Sequence, residues 1–154
     1  LNIEVSDATQ RSIHALLSAC PPYVVEIYVF LIQGWYDTGE RMYSTKSDRL
    51  YLRLSVRDHT FALATLYGAQ HRHGARIELR YPLTYYLDAY LRARRRYEQV
   101  IGRISGFRVH NTGARIPMTK TFEKDEAEQL LEAMCRLAED VSIEAESTVA
   151  DATT

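Results

Sequence analysis

Arginine side chains at alternate positions of strand-like segments are the feature of this sequence that best indicates chemistry. Alternate residues of a β-strand point to the same face of a sheet, so polar residues that lie between apolar ones share one face. Guanidinium groups form forked hydrogen bonds with phosphates, and aromatic rings stack on bases. The pattern therefore predicts a face that binds a nucleic acid or another polyanion. The residues expected on it are Tyr51, Arg53, Arg76, Glu78, Arg80, Arg108, His110 and Arg115.

A second group of arginines lies in a segment that is predicted to be a helix, over 85–104. Arg92 and Arg94 each have an acidic residue four positions away, with which they can pair. Arg96 and Arg103 have no such partner on the helix. We therefore predict that Arg96 and Arg103 also contact phosphates. The alternative is that this arginine run is only a solvated helix face.

The distribution of charge along the chain supports a polyanionic partner. Residues 41–120 contain sixteen basic and five acidic residues, which is a net charge of +11, whereas the whole chain has a net charge of −1. Residues 1–40 and 121–154 are acidic, with net charges of −4 and −8. A basic middle between acidic ends predicts either a polyanionic partner or internal charge pairing, in which the last helix and the tail neutralise the basic face.

No arrangement of residues in the sequence points to catalysis or to a cofactor. The sequence lacks a nucleophile elbow, a glycine-rich phosphate loop and the spacing of a zinc site, and its histidines match no metal motif. We therefore predict no catalytic residue, no metal and no cofactor, and expect a small nucleic-acid-binding or regulatory module.

Two other functions are kept as alternatives. The first is a metal-dependent nuclease or another enzyme that acts on an anionic, phosphate-bearing substrate, for which Glu78 with Asp48 or Asp58 would supply the acids. The second is a protein-interaction domain whose acidic helix and tail mask its own basic face.

Two-residue periodicity predicts the strands that carry the basic face, and the connections between them are short. On the predicted strand 61–65, Phe61, Leu63 and Thr65 are expected to share the apolar face. Short connections favour antiparallel pairing. The predicted fold is α+β, with an antiparallel sheet of four to six strands and helices packed on one face. The predicted strands are 41–45, 50–56, 61–65, 77–81, 107–110 and 114–118, of which the last two form a hairpin.

Helical spacing of apolar residues predicts four helices. The first covers 7–20, the second begins at Pro22, the third covers 85–104, and the fourth begins at Thr121 or Asp125. The second helix is expected to end near Gly34, although its many β-branched residues make a buried strand the alternative for 23–32. The last helix is expected to end near Ile143. We predict that residues 1–143 form one domain and that 144–154 are an acidic, frayed tail.

The cysteines and the apolar segments indicate the environment of the protein. Cys20 and Cys135 lie on or beside apolar helical stripes, which indicates reduced, structural thiols. No segment approaches the ~18 apolar residues of a membrane span, and the start of the chain lacks the pattern of a secretory signal. We therefore predict a cytoplasmic location and no membrane partner.

Overall fold

The computed structural model describes residues 1–57, 59–80, 87, 90–104, 106–110 and 113–153, with the side chains of 109, 110 and 146–153 left out. Four helices and six strands occur in this part of the chain. The helices are α1 (Asp7–Ser18), α2 (Pro22–Asp37), α3 (Leu91–Arg103) and α4 (Lys124–Thr153). The strands are β1 (Arg41–Tyr43), β2 (Arg49–Val56), β3 (His59–Tyr67), β4 (Arg76–Leu79), β5 (Arg108–His110) and β6 (Gly113–Pro117).

The six strands form one antiparallel sheet in the order β1-β2-β3-β4-β6-β5. The first four strands are joined in sequence, as short connections allow. Helix α3 then separates β4 from the β5–β6 hairpin, and β6 rather than β5 pairs with β4. The prediction of an α+β fold with four to six antiparallel strands is confirmed. The part of helix 85–104 that precedes Tyr90 lies, apart from Leu87, outside the described residues.

One hydrophobic core joins the inner face of the sheet to the helices. The alternating residues of β2, for example Leu50, Leu52 and Leu54, are completely or almost completely buried. Burying an aliphatic or aromatic side chain contributes roughly 1.5–3 kcal/mol, so each residue of this layer stabilises the packing of the helices against the sheet. Phe61, Leu63, Ile77, Leu79, Leu130 and Met134 are also buried, whereas Leu131 is only partly buried.

Helix α2 resolves the ambiguous segment 23–32 in favour of a helix. Pro22 occupies its first turn, where the missing N–H of proline costs nothing. The helix does not end at Gly34, as predicted, but continues to Asp37. A β-carbon at Gly34 would meet the side chain of Leu131 on α4. The glycine therefore allows two helices to approach closely and does not terminate one.

A β-bulge in β3 changes which of its residues face the core. Leu52 pairs with Ala64, but the next residue, Arg53, pairs with Ala62, so Leu63 has no partner on β2. An extra residue shifts the two-residue alternation by one position. As a result Thr65 lies opposite Tyr51, on the polar face, and the prediction that Thr65 faces the core is wrong.

Helix α4 is longer than predicted, because it continues to Thr153 instead of ending near Ile143. No proline or glycine interrupts 144–153, and extending an existing helix requires only one more hydrogen bond per residue. A carboxylate oxygen of Glu144 also accepts a hydrogen bond from the backbone N–H of Ala93, 2.6 Å away, in the first turn of α3. Glu144 thus caps a helix whose own N-cap residue, Tyr90, makes no side-chain capping bond.

Cys20 and Cys135 are free thiols, both half-buried. Burial raises the pKa of each, so each holds less reactive thiolate at neutral pH than an exposed cysteine. We expect both thiols of the native protein to react slowly with a thiol reagent at about pH 7.5, and to react quickly after unfolding in denaturant. Labelling of the native protein at the rate of an unstructured peptide thiol would contradict this expectation.

None of the helices in the described residues is long and apolar enough to cross a membrane.

Candidate nucleic-acid interface

The strand pairing determines which polar side chains meet on the face of the sheet opposite the buried Leu50, Leu52 and Leu54, here called the outer face. Residues that pair across neighbouring antiparallel strands lie side by side on one face. The pairing produces one continuous line of side chains across all six strands, here called the central row. The central row runs from Tyr43 through Tyr51, Thr65, Glu78 and Arg115 to Arg108.

A second line of outer-face residues crosses three strands beside the central row. Tyr67 pairs with Arg49 on one side and with Arg76 on the other. Both guanidinium carbons lie 5.1 Å from the centre of the Tyr67 ring, within the range of cation–π attraction. Two arginines and one tyrosine therefore form a packed unit on the outer face, and each holds the others in place.

Acidic residues partly neutralise this unit. Asp48 pairs with Arg49 at 2.9 Å, and this hydrogen bond lowers the pKa of Asp48. Glu78 pairs with Arg76 at 2.9 Å and lies 3.9 Å from Arg115. Burial raises the pKa of Tyr67, and the negative charge of Glu78 raises it further. These pairs are partly exposed, so they orient the arginines more than they stabilise the fold.

Glu78 lies within a shallow polar depression of about 310 Å³ on the outer face. Its walls include Tyr51, Tyr67, Arg80 and Arg115, and Thr65 contributes to its lining. Arg80 follows β4 and is exposed, and its backbone N–H donates to the carbonyl oxygen of Leu63 at the bulge. Glu78 is the only acidic residue in the six described strands.

At the β1 edge of the outer face, arginine again lies close to an aromatic ring. The guanidinium carbon of Arg53 is 5.7 Å from the centre of the Tyr43 ring, and Tyr43 is 44% exposed. Arg41 pairs with Arg53 on the neighbouring strand. This edge therefore presents a ring and two cations to solvent.

Beyond the end of β3, His71 extends the aromatic surface. Its ring centre lies 4.4 Å from that of Tyr67, and the ring of His73 lies 5.5 Å further on. Burial and the charge of Arg76 lower the pKa of His71. His71 is therefore mostly neutral near pH 7, and the positive charge of the outer face comes from arginine.

Two of the predicted phosphate-binding arginines lie elsewhere. Arg96 and Arg103 are on α3 and line a groove between α3 and α4, here called the helix groove, of about 340 Å³. No strand contributes to its lining, and Arg96 lies 3.5 Å from Asp140 on α4. Spacing along α3 does not reveal this partner, because Asp140 lies on a different helix. Arg96 and Arg103 therefore line the helix groove and not the outer face.

Arg76 is on the outer face as predicted, but it does not point freely into solvent. Its side chain is only 14% exposed, and its Nε is buried without a hydrogen-bond partner among the described residues. Tyr51, Arg53, Arg80, Arg108 and Arg115 also lie on the outer face or line its depression, as predicted.

Sequence reasoning missed four outer-face residues, namely Arg41, Tyr43, Arg49 and Tyr67. Arg49 and Arg41 continue the alternation of β2 and β1, so the two-residue period alone would have found them. Tyr67 could not be found in this way, because the bulge at Leu63 reverses the alternation of β3.

Within the described part of the chain, no three His, Cys, Asp or Glu side chains are grouped closely enough to hold a metal ion. Comparisons with protein-family models, with curated protein sequences and with solved structures found no match for this chain.

Proposed function

We propose that this protein binds nucleic acid through the outer face of its sheet. The observation that carries this proposal is the strand register, which collects arginines and tyrosines from all six strands on one face, where Glu78 is the only acidic residue within the described strands. Arginine neutralises phosphates and tyrosine stacks on bases, and a surface that combines the two is typical of nucleic-acid binding. A regulatory role and a cytoplasmic location, which the sequence predicts, form part of this proposal.

The position of α4 favours an open face over a self-masked one. The acidic residues that could mask the arginines are concentrated on this helix. In the described residues α4 packs against α2 and α3, and Glu144 caps α3. These contacts direct the acidic helix toward the other helices, which supports a face that is accessible to a ligand.

The proposal is tested by the salt dependence of binding, because each neutralised phosphate releases counterions. We expect the logarithm of the affinity for labelled oligonucleotides to fall linearly with the logarithm of the salt concentration. Each phosphate contact should contribute about 0.9 to the slope on duplex DNA and about 0.7 on single strands. Fluorescence anisotropy with single-stranded DNA, duplex DNA and RNA over a range of salt concentrations gives the slope.

Two double variants with equal charge changes locate the contacts. Arg108 and Arg115 pair on the outer face, are exposed and make no ion pair shorter than 3.9 Å with the residues that the structure describes, so Arg108→Ala/Arg115→Ala should keep the fold. We expect this variant to weaken binding and to flatten the slope by about 0.7 on single strands for each lost contact. The matched control is Arg103→Ala/Arg136→Ala in the helix groove, which should leave the slope unchanged.

Two results would overturn the proposal. One is the absence of salt-sensitive binding to any of the three nucleic acids. The other is an equal loss of affinity in the two double variants, because binding would then depend on net charge and not on the outer face.

A further inference from the structure

The width of the outer face bears on the kind of nucleic acid that it can bind, and this inference rests on the proposed function. Six strands at about 4.8 Å spacing make a surface on the order of 24 Å across. The major groove of duplex DNA is about 12 Å wide and admits one helix or a two-stranded ribbon. A duplex could therefore touch this face only with its phosphates, whereas a single strand could lie along the central row with its bases toward the tyrosines.

Glu78 is placed where a base of such a strand would lie. It occupies the middle of the central row, between the tyrosine end and the arginine end. Its side chain is 30% exposed and lines the polar depression. A phosphate would be repelled by this carboxylate, whereas the edge of a base can donate hydrogen bonds to it.

The carboxylate of Glu78 has free capacity to accept hydrogen bonds. A carboxylate offers about four lone-pair sites. Arg76 takes one of them at 2.9 Å, while Arg115, at 3.9 Å, is beyond hydrogen-bond distance. At least two sites are left, which is the number that a base with two adjacent donors needs.

Guanine is the base whose hydrogen-bonding edge suits this carboxylate. Its Watson–Crick edge presents two adjacent donors, the ring N–H and the exocyclic amino group. Adenine and cytosine present one donor beside a ring acceptor, and uracil and thymine present one donor between two carbonyl oxygens. A carboxylate only accepts hydrogen bonds, so the acceptors of the other four bases would face its negative charge.

We propose that the outer face binds single-stranded nucleic acid and that Glu78 recognises guanine within it. The probes are twelve-nucleotide thymidine strands with two guanines, two adenines or two inosines at the centre, together with the duplex form of the guanine strand. A bidentate contact discriminates between bases by about five- to a hundredfold in affinity. We expect affinity for the guanine strand to exceed affinity for the adenine strand by a factor in this range. Most of this preference should be lost with inosine, which lacks the amino group. The duplex should bind more weakly than the single strand.

The variant Glu78→Gln tests the residue itself. An amide has one acceptor oxygen and presents donors in place of the second, so the preference for guanine should fall to about twofold or less. Binding to the strand without guanine should stay equal or become tighter, because a negative charge is removed from the face. The matched control is Glu132→Gln, an exposed carboxylate in the helix groove, which should keep the preference.

The outcomes separate this inference from the proposed function. Salt-sensitive binding of single strands without a guanine preference would overturn the role of Glu78 and leave the proposed function in place. Binding of the duplex as tightly as the single strand would overturn the single-strand assignment alone. Failure of every probe to bind would overturn both. The inosine strand tests wild-type protein, so the result does not depend on the folding of the Glu78 variant.

Discussion

Replacing Leu52 by alanine is expected to lower the free energy of unfolding by about 2–5 kcal/mol, a large share of the roughly 5–15 kcal/mol that stabilises a typical domain. Leu52 is completely buried in the middle of β2, where it pairs with Met42 on one side and Ala64 on the other. The neighbouring strands are held by their ladders and cannot collapse into the space, so a cavity adds to the lost transfer free energy.

Denaturant unfolding followed by the fluorescence of Trp35 measures this loss, because Trp35 is the only tryptophan and is completely buried. The matched control is Leu91→Ala, which makes the same change at a side chain that is 39% exposed. We expect the control to alter stability by no more than about 0.5 kcal/mol. A loss of less than about 1 kcal/mol for Leu52→Ala would show that the inner face of β2 is not packed as described.

The substitution Gly34→Val is expected to lower the free energy of unfolding by about 2–3 kcal/mol. A β-carbon at Gly34 would clash with one methyl carbon of Leu131 and lie 3.2 Å from the other. Valine adds two further carbons at this point, and overpacking of this kind typically costs about 1–3 kcal/mol. The gain in helix propensity over glycine, at most a few tenths of a kcal/mol for valine, is too small to offset it.

The same substitution at Gly102 provides the control, because a β-carbon there meets nothing within 4 Å and the residue lies on an exposed part of α3. We expect Gly102→Val to be close to neutral. Adding Leu131→Ala to Gly34→Val should recover part of the loss, since the alanine removes the atoms that clash. An equal loss of unfolding free energy in Gly34→Val and Gly102→Val would show that the effect comes from helix propensity. It would contradict the close approach of α2 and α4 at Gly34.

Much of the fold follows from local periodicity. The alternation in 50–56 and the helical spacing after Pro22 correctly predict β2 and α2, because each pattern depends only on which side of an element meets the core. The predicted hairpin of β5 and β6 has the same origin. The predicted ends are less accurate at Gly34 and Ile143, where packing against another helix and the low cost of extending a helix decide the outcome.

The candidate site was predicted less completely than the fold, for reasons that individual residues make clear. Arg96 has no acidic partner on its own helix, but Asp140 reaches it from another helix. Arg76 alternates like a solvent-facing residue, but Tyr67 packs against it from the neighbouring strand and Glu78 pairs with it from two residues further along β4. Asp140 and Tyr67 are distant in sequence from the arginines that they contact, so no spacing rule predicts these contacts.

By itself, the sequence determined the fold class, the basic middle of the chain and the arginines that alternate with apolar residues, because these properties belong to single segments. Only the tertiary structure decided which arginines meet. The bulge at Leu63 turns Thr65 and Tyr67 to the outer face, and the strand order places Glu78 beside Arg115. Packing of α3 against α4 directs Arg96 and Arg103 into a separate groove. Register, bulges and helix packing arise from contacts between segments, so the site that they create is not visible in any one of them.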